Sequence, residues 1–185
     1  MKIYARFYHQ TSHSQEHDTA HKLLSWVLKH EYGIEEYTLG KNSHGKPYLQ
    51  SHPAIKVNLS HCKGLAVCAV GGNALGVDCE GIRRLREGVV RRVCTEEETA
   101  FLRDSANPDL DFTRLWTLKE SFVKAVGRGV SYPMKNAAFA FDNGGIYTNV
   151  KGAAFWQYVI ADRYIISACA AEPEEECGIF VISNL

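Results

Sequence analysis

Apolar residues recur with two different periods along this chain, and each change of period predicts a new element. Residues 2–9 (KIYARFYH) read as a first strand, followed by a polar, His-rich stretch. The segment EHDTAHKLLSWVLKHEYG is an amphipathic helix closed by Gly33 at its C-terminal end. NSHGKPY is a turn, and AIKVNLSH, GLAVCAVGG and ALGVDCEG are three short strands separated by Lys-Gly and Gly-Gly-Asn turns. In VCTEEETAFLR, Thr95 with Glu98 forms a capping box that opens a helix. Pro108 and Asp109 introduce a longer helix, and the remainder is β-rich, with an Asp162-Arg163 hairpin turn.

The long helix breaks its own pattern. Over RLWTLKESFVKAVGRGV, at about 100° per residue, Leu115, Leu118, Phe122, Ala125 and Val126 share one arc, widened by Trp116 and Val123. Lys119 projects from inside that arc, where an ordinary surface helix would place an apolar residue. Glu120 and Lys124 sit one turn apart at its border. The element order predicts an α+β fold made of two related halves joined near Gly71 to Ala74, one over residues 1–74 and the other over 75–185. No internal repeat and no low-complexity segment is clear.

Composition narrows the function classes. The chain has 185 residues, 45% hydrophobic and 23% charged, as expected for a soluble globular protein. Lys plus Arg and Asp plus Glu number 21 each, so no net basic field recommends a nucleic-acid partner, and anion recognition must be local. Apolar runs fall short of the ~20 residues of a membrane span, and the N-terminus lacks a signal-peptide core, so no membrane association and a cytoplasmic location are expected. The six cysteines, Cys62, Cys68, Cys79, Cys94, Cys169 and Cys177, form no C-x-x-C pair and are expected to be structural thiols.

Three groups of residues carry chemical information. In GVDCE, strand alternation puts Asp78 and Glu80 on one face, opposite Val77 and Cys79. Such a pair is either a solvated acidic face or part of a site for a hard divalent ion. In NLSHC, Ser60 and His61 at a strand end are able to bond a phosphate, the alternative being a satisfied histidine at a core rim. On the long helix, Glu120 offers a carboxylate or a base, and Lys119 and Lys124 offer charge for a phosphate; an exposed Glu120–Lys124 pair is the plain alternative. Together these groups suit a metal-bound pyrophosphate.

The order GKPY, NLSHC, GVDCE, CTEEETAFL, WTLKESFVKAVGRGV resembles the 4'-phosphopantetheinyl transferases of the larger, surfactin-synthetase-activating type. Their signature is G-[IV]-D-x-E followed some forty residues on by W-[ST]-x-K-E-x-x-x-K, here Gly76 to Glu80 and Trp116 to Lys124. The likeness runs over roughly residues 18–134, with ISACAA resembling the last core strand. It implies two similar α+β halves related by a pseudo-twofold axis, with the active site between them. It also implies transfer of the phosphopantetheine arm of coenzyme A to a serine of an apo acyl or peptidyl carrier protein, with release of 3',5'-ADP. Asp78, Glu80 and Glu120 would hold Mg²⁺, with Mn²⁺ a possible substitute. Glu120, directly or through a bound water, would take the serine proton, and Lys124 would neutralise the phosphate at the breaking bond. Ser60, His61, Lys46, Lys22 and Lys119 would contact the coenzyme, and Glu98 would be a supporting acid.

The chain departs from that pattern in three places. It is shorter before the first helix, Cys79 stands where isoleucine is usual, and CTEEE replaces F-S-x-x-E. A monomer is expected, since both halves lie in one chain. Two other readings use the same residues: a Mg²⁺-dependent pyrophosphohydrolase of coenzyme A or nucleotides, and a non-catalytic nucleotide-binding module.

Overall fold

The computed structural model describes residues 1–9, 13–142, 144–172 and 176–183. Its strands are β1 (Lys2–Phe7), β2 (Leu39–Lys41), β3 (Pro47–Leu49), β4 (Lys56–Cys62), β5 (Leu65–Gly71), β6 (Leu75–Gly81), β7 (Phe139–Asp142), β8 (Gly145–Thr148), β9 (Ala154–Ile160), β10 (Tyr164–Ala170) and β11 (Gly178–Val181). Its helices are α1 (His13–Tyr32), α2 (Glu87–Val93), α3 (Glu96–Asp104) and α4 (Pro108–Val126).

Two sheets form the centre. One has the order β11-β1-β5-β4, the other β6-β10-β9. The strands β1, β4 and β5 with α1, and β6, β9 and β10 with α4, share one connectivity: a strand, a helix, then a hairpin whose last strand pairs with the first. The pleat assigns each strand face to a different neighbour. Ile3, Ala5, Leu65, Val67 and Ala69 of the first sheet meet Leu75, Val77, Cys79, Ile166 and Ala168 of the second in one apolar cluster. The opposite face of the first sheet, with Tyr4, Val57, Ala66, Cys68 and Val70, packs on Leu23, Leu24, Val27 and Leu28 of α1. A third cluster joins α2, α3 and α4 through Val90, Leu102, Leu115, Leu118 and Phe122. The molecule is therefore a mixed α+β fold, layered helix, sheet, sheet, helix.

The strand β11 departs from the sequence expectation. It lies in the stretch assigned to the C-terminal half, yet it pairs in parallel with the outer edge of β1, Ile3 opposite Ile179. The structure also adds α2, β2 and β3 to the elements read from sequence, with the GKPY turn leading into β3. The capping box is present in both directions: Glu98 N donates to Thr95 Oγ1 and Thr95 N donates to a Glu98 carboxylate oxygen. None of the six cysteines is joined in a disulfide, and five of them are buried.

The face of α4 turned to β6 and β10 is small and hydroxylated. Thr117 shares a hydrogen bond with Ser167 at 2.7 Å, and Ser121 returns its hydroxyl to Leu118 O. Small residues let the helix approach β6 so closely that a Cβ built on Gly76 would overlap Ser121 O and the Ala125 amide, with Lys124 C at 3.0 Å. Those obstacles are backbone and cannot rotate away. Gly76→Ala is therefore expected to destabilise the protein by about 3 kcal/mol, at the upper end for overpacking. Because the clash lifts α4 from β6, it should also lower activity; a urea midpoint within error of wild type would refute the close approach.

Candidate active site

The side chains that met as motifs in the sequence come together where α4 crosses β6. Leu75, Val77 and Cys79 are directed into the sheet-to-sheet core, so Gly76, Asp78 and Glu80 face α4. From α4, Glu120 and Lys124 project one turn apart. The free edge of β6 lies against β4, whose side chains take up strand amides: Val77 N donates to Asn58 Oδ1 at 2.8 Å and Cys79 N to Ser60 Oγ at 3.3 Å. This seam between the sheets holds the polar cluster.

Its centre is an ion pair. Lys124 Nζ lies 2.6 Å from Asp78 Oδ1 and also donates to Ser60 Oγ at 2.9 Å and Val77 O at 3.2 Å. Ser60 Oγ donates to Asp78 Oδ1 at 2.8 Å. Burial pulls the Lys124 ammonium down, but the charge and hydrogen bond of Asp78, followed by the charge of Glu120, hold it above its ordinary value. The two other carboxyls are shifted upward: Glu120 by burial and then by Asp78, Glu80 by burial and then by Asp78, against the pull of Arg83. Asp78 thus raises the cost of charging both Glu80 and Glu120, which a cation among them would relieve.

As a donor set, three carboxylates suit a hard divalent ion. Among the described residues, however, no three His, Cys, Asp or Glu side chains are arranged as a metal site, and Lys124 occupies Asp78. The residues present match the ion in chemistry, with the ammonium of Lys124 on the central carboxylate.

Two of the three lysines expected to meet a coenzyme are turned inward. Lys119 is fully buried. Its Nζ lies 2.9 Å from Glu98 Oε2 and donates to Met134 O at 3.2 Å and Ala137 O at 2.5 Å. The expectation that Lys119 reaches a phosphate is thereby corrected: a buried ammonium needs a counter-anion, and Glu98 supplies it. Glu98 is a structural anion too, since its other bonds come from Thr95 N and Phe139 N, both 2.8 Å. Lys46 is likewise turned inward, donating to Leu75 O and Ala125 O at 2.9 Å each, and burial lowers it to about 8. It ties the last turn of α4 to the start of β6, a favourable place for a cation. Lys22 is exposed on α1 and shares none of these contacts.

Ser60 is buried in the seam and already bonded to Asp78 and Lys124, so in this arrangement it holds the carboxylate rather than facing outward. His61 points to the α1 side of β4, its Nδ1 3.3 Å from Glu16 Oε2. Sequence reasoning missed Arg83, whose guanidinium lies 3.0 Å from Glu80 and 5.0 Å from the centre of the Trp116 ring. An arginine three residues beyond Glu80 was the available signal.

A family model described as the 4'-phosphopantetheinyl transferase superfamily matches residues 74–169, the stretch that supplies β6, α4 and β10. A 4'-phosphopantetheinyl transferase of Bacillus subtilis is 28% identical over 190 residues, covering 94% of this chain and 81% of the relative. The 4'-phosphopantetheinyl transferase HetI of Nostoc is 31% identical over 136 residues, 68% of this chain and 57% of that one. A solved holo-[acyl-carrier-protein] synthase of Thermotoga maritima overlays 55% of this chain and 64% of its own with a TM-score of 0.47 at 21% identity. With the strand and helix that carry the acidic cluster both inside the matched segment, the chain belongs to the 4'-phosphopantetheinyl transferase superfamily.

Proposed function

We propose that this transferase moves the phosphopantetheine arm of coenzyme A to a serine hydroxyl of an apo acyl or peptidyl carrier protein, releasing 3',5'-ADP. The observation that carries the reading is the junction of β6 and α4, where Asp78, Glu80, Glu120 and Lys124 share one electrostatic environment. The serine oxygen forms a bond to the phosphorus that bears the pantetheine, and the bond from that phosphorus to the bridging pyrophosphate oxygen breaks. The electron pair leaves with 3',5'-ADP. Glu120 takes the serine proton; burial, by raising its pKa, brings it closer to the working range of a general base. Lys124 balances the charge that collects on the departing phosphate.

Magnesium, held by Asp78, Glu80 and Glu120, would supply charge neutralisation on the pyrophosphate. Lys124 would then leave Asp78 for the phosphate, one cation being exchanged for another. Glu80 is steadied by Arg83. His61 and Lys22 are proposed to face the 3'-phospho-ADP portion from the α1 side. Since one chain carries the whole cluster, a monomer is sufficient for the reaction, and a cytoplasmic site of action is proposed with it. No helix among the described residues is long and apolar enough to cross a membrane.

The test is a mass measurement. Purified protein with Mg²⁺, coenzyme A and an apo carrier protein should increase the carrier mass by one phosphopantetheine arm and release 3',5'-ADP in equal amount. Cleavage of coenzyme A without a carrier would favour a pyrophosphohydrolase instead. Binding without turnover would leave only a nucleotide-binding module.

A further inference from the structure

The helix α1 carries a histidine pattern that the transferase reading does not use. The segment EHDTAH spaces His17 and His21 four residues apart, which places them along one helix face. The side chains of His17 and His21 meet: their Nε2 atoms are 3.2 Å apart and their ring centres 4.3 Å apart. The Nδ1 atom on the other side of His17 faces Asp18, 4.0 Å from Oδ1. The ring of His61, at the end of β4, stands edge-on to His17 with a centre-to-centre distance of 6.4 Å.

We propose that His17 and His21 bind a zinc-class divalent ion through their Nε2 atoms. The separation of the two nitrogens is the first argument. Two imidazoles bound at about 2.05 Å with a tetrahedral angle at the metal have nitrogens roughly 3.3 Å apart, and the pair is within about 0.1 Å of that bite. The second argument is orientation. A zinc-bound histidine commonly directs its other ring nitrogen to a carboxylate or to water, and the Asp18 carboxylate lies 4.0 Å from His17 Nδ1, beyond direct hydrogen-bond reach but close enough to favour a cation there. The third is accessibility: the His17 side chain is 64% exposed, so an ion has a direct path and room for water ligands.

Nitrogen donors distinguish this ion from the one proposed for the carboxylates. Imidazole suits Zn²⁺, Ni²⁺ and Cu²⁺, whereas Mg²⁺ takes oxygen ligands and keeps its water. The site thus lies on α1 and draws on a different metal class from the β6–α4 cluster. It stands or falls independently of the transferase reading.

The test uses chelator-stripped full-length protein, titrated with zinc chloride by calorimetry at pH 7.5 in excess MgCl₂, so that hard-ion sites are filled. One equivalent should bind with micromolar affinity, and His17→Ala with His21→Ala should weaken it at least tenfold. Zinc should raise the thermal midpoint of the wild type and not of the double variant, since the ion staples one turn of α1. Equal zinc affinity in the double variant would place the ion elsewhere and overturn the proposal, as would no binding by the wild type. Displacement by millimolar Mg²⁺ would overturn the claim about metal class.

Discussion

Glu120→Gln is expected to lower the rate of carrier modification by about 10²–10⁴-fold, the range for a general acid–base group, while making the metal-free protein more stable. The loss of rate follows from its place: on α4, sharing the field of Asp78 and Lys124, with a carboxyl raised by burial and then by Asp78. The gain in stability follows from the same shift. A carboxyl whose pKa is higher in the folded chain than in the unfolded one binds more protons when folded. Stability then falls as pH rises from the unfolded value of 4.5 through the folded one. At neutral pH the ionised Glu120 opposes folding, and a neutral amide removes that opposition. In chelator, the thermal midpoint of Glu120→Gln should rise, on the order of one to three degrees for a chain of this size. Its stability should also decline less between pH 4.5 and 7 than that of the wild type. Activity within threefold of wild type would remove Glu120 from the chemistry. A lower midpoint would show that its charge is compensated in the folded state. Such opposition between stability and function is common where a site gathers like charges.

The same residues show how far the sequence could be read. GVDCE and WTLKESFVK were legible because each sets charge against the apolar period of its own element, which marks a face that meets something other than water. Strand alternation alone was enough to turn Asp78 and Glu80 to one side. The Thr95–Glu98 box was legible because its two hydrogen bonds are local. The parts that escaped depend on contacts distant in sequence. The parallel pairing of β11 with β1 joins opposite ends of the chain, and no local pattern specifies it. The helix α2 has only seven residues and no side-chain cap at Arg86, so it lacked a start signal. The resemblance places Lys46 of GKPY beside the coenzyme. Its actual acceptors, Leu75 O and Ala125 O, come from β6 and α4. Period analysis finds a buried charge, but not its counter-charge.

Lys119 is the sharpest instance, and it yields the largest expected effect on stability. Lys119→Met fills a similar volume with an apolar chain and leaves Glu98 buried with no cation. Removing one partner of a buried pair typically costs about 3–5 kcal/mol, because the remaining charge is uncompensated. Here the loss should lie in that range: both side chains are almost completely inaccessible, and Met134 O and Ala137 O also lose their donor. Adding Glu98→Gln to Lys119→Met should recover part of it. The amide oxygen can still accept from Thr95 N or Phe139 N, and no ionised group remains. The two substitutions should therefore be non-additive by about 1–3 kcal/mol. Urea unfolding of the four proteins in the cycle measures that coupling. Kinetics separate the structural role from a coenzyme contact. Where Lys119→Met remains folded, its KM for coenzyme A should stay close to wild type, since the ammonium lies against Glu98 rather than in the seam. A large rise in KM with unchanged stability would return Lys119 to the phosphate and refute the buried pair.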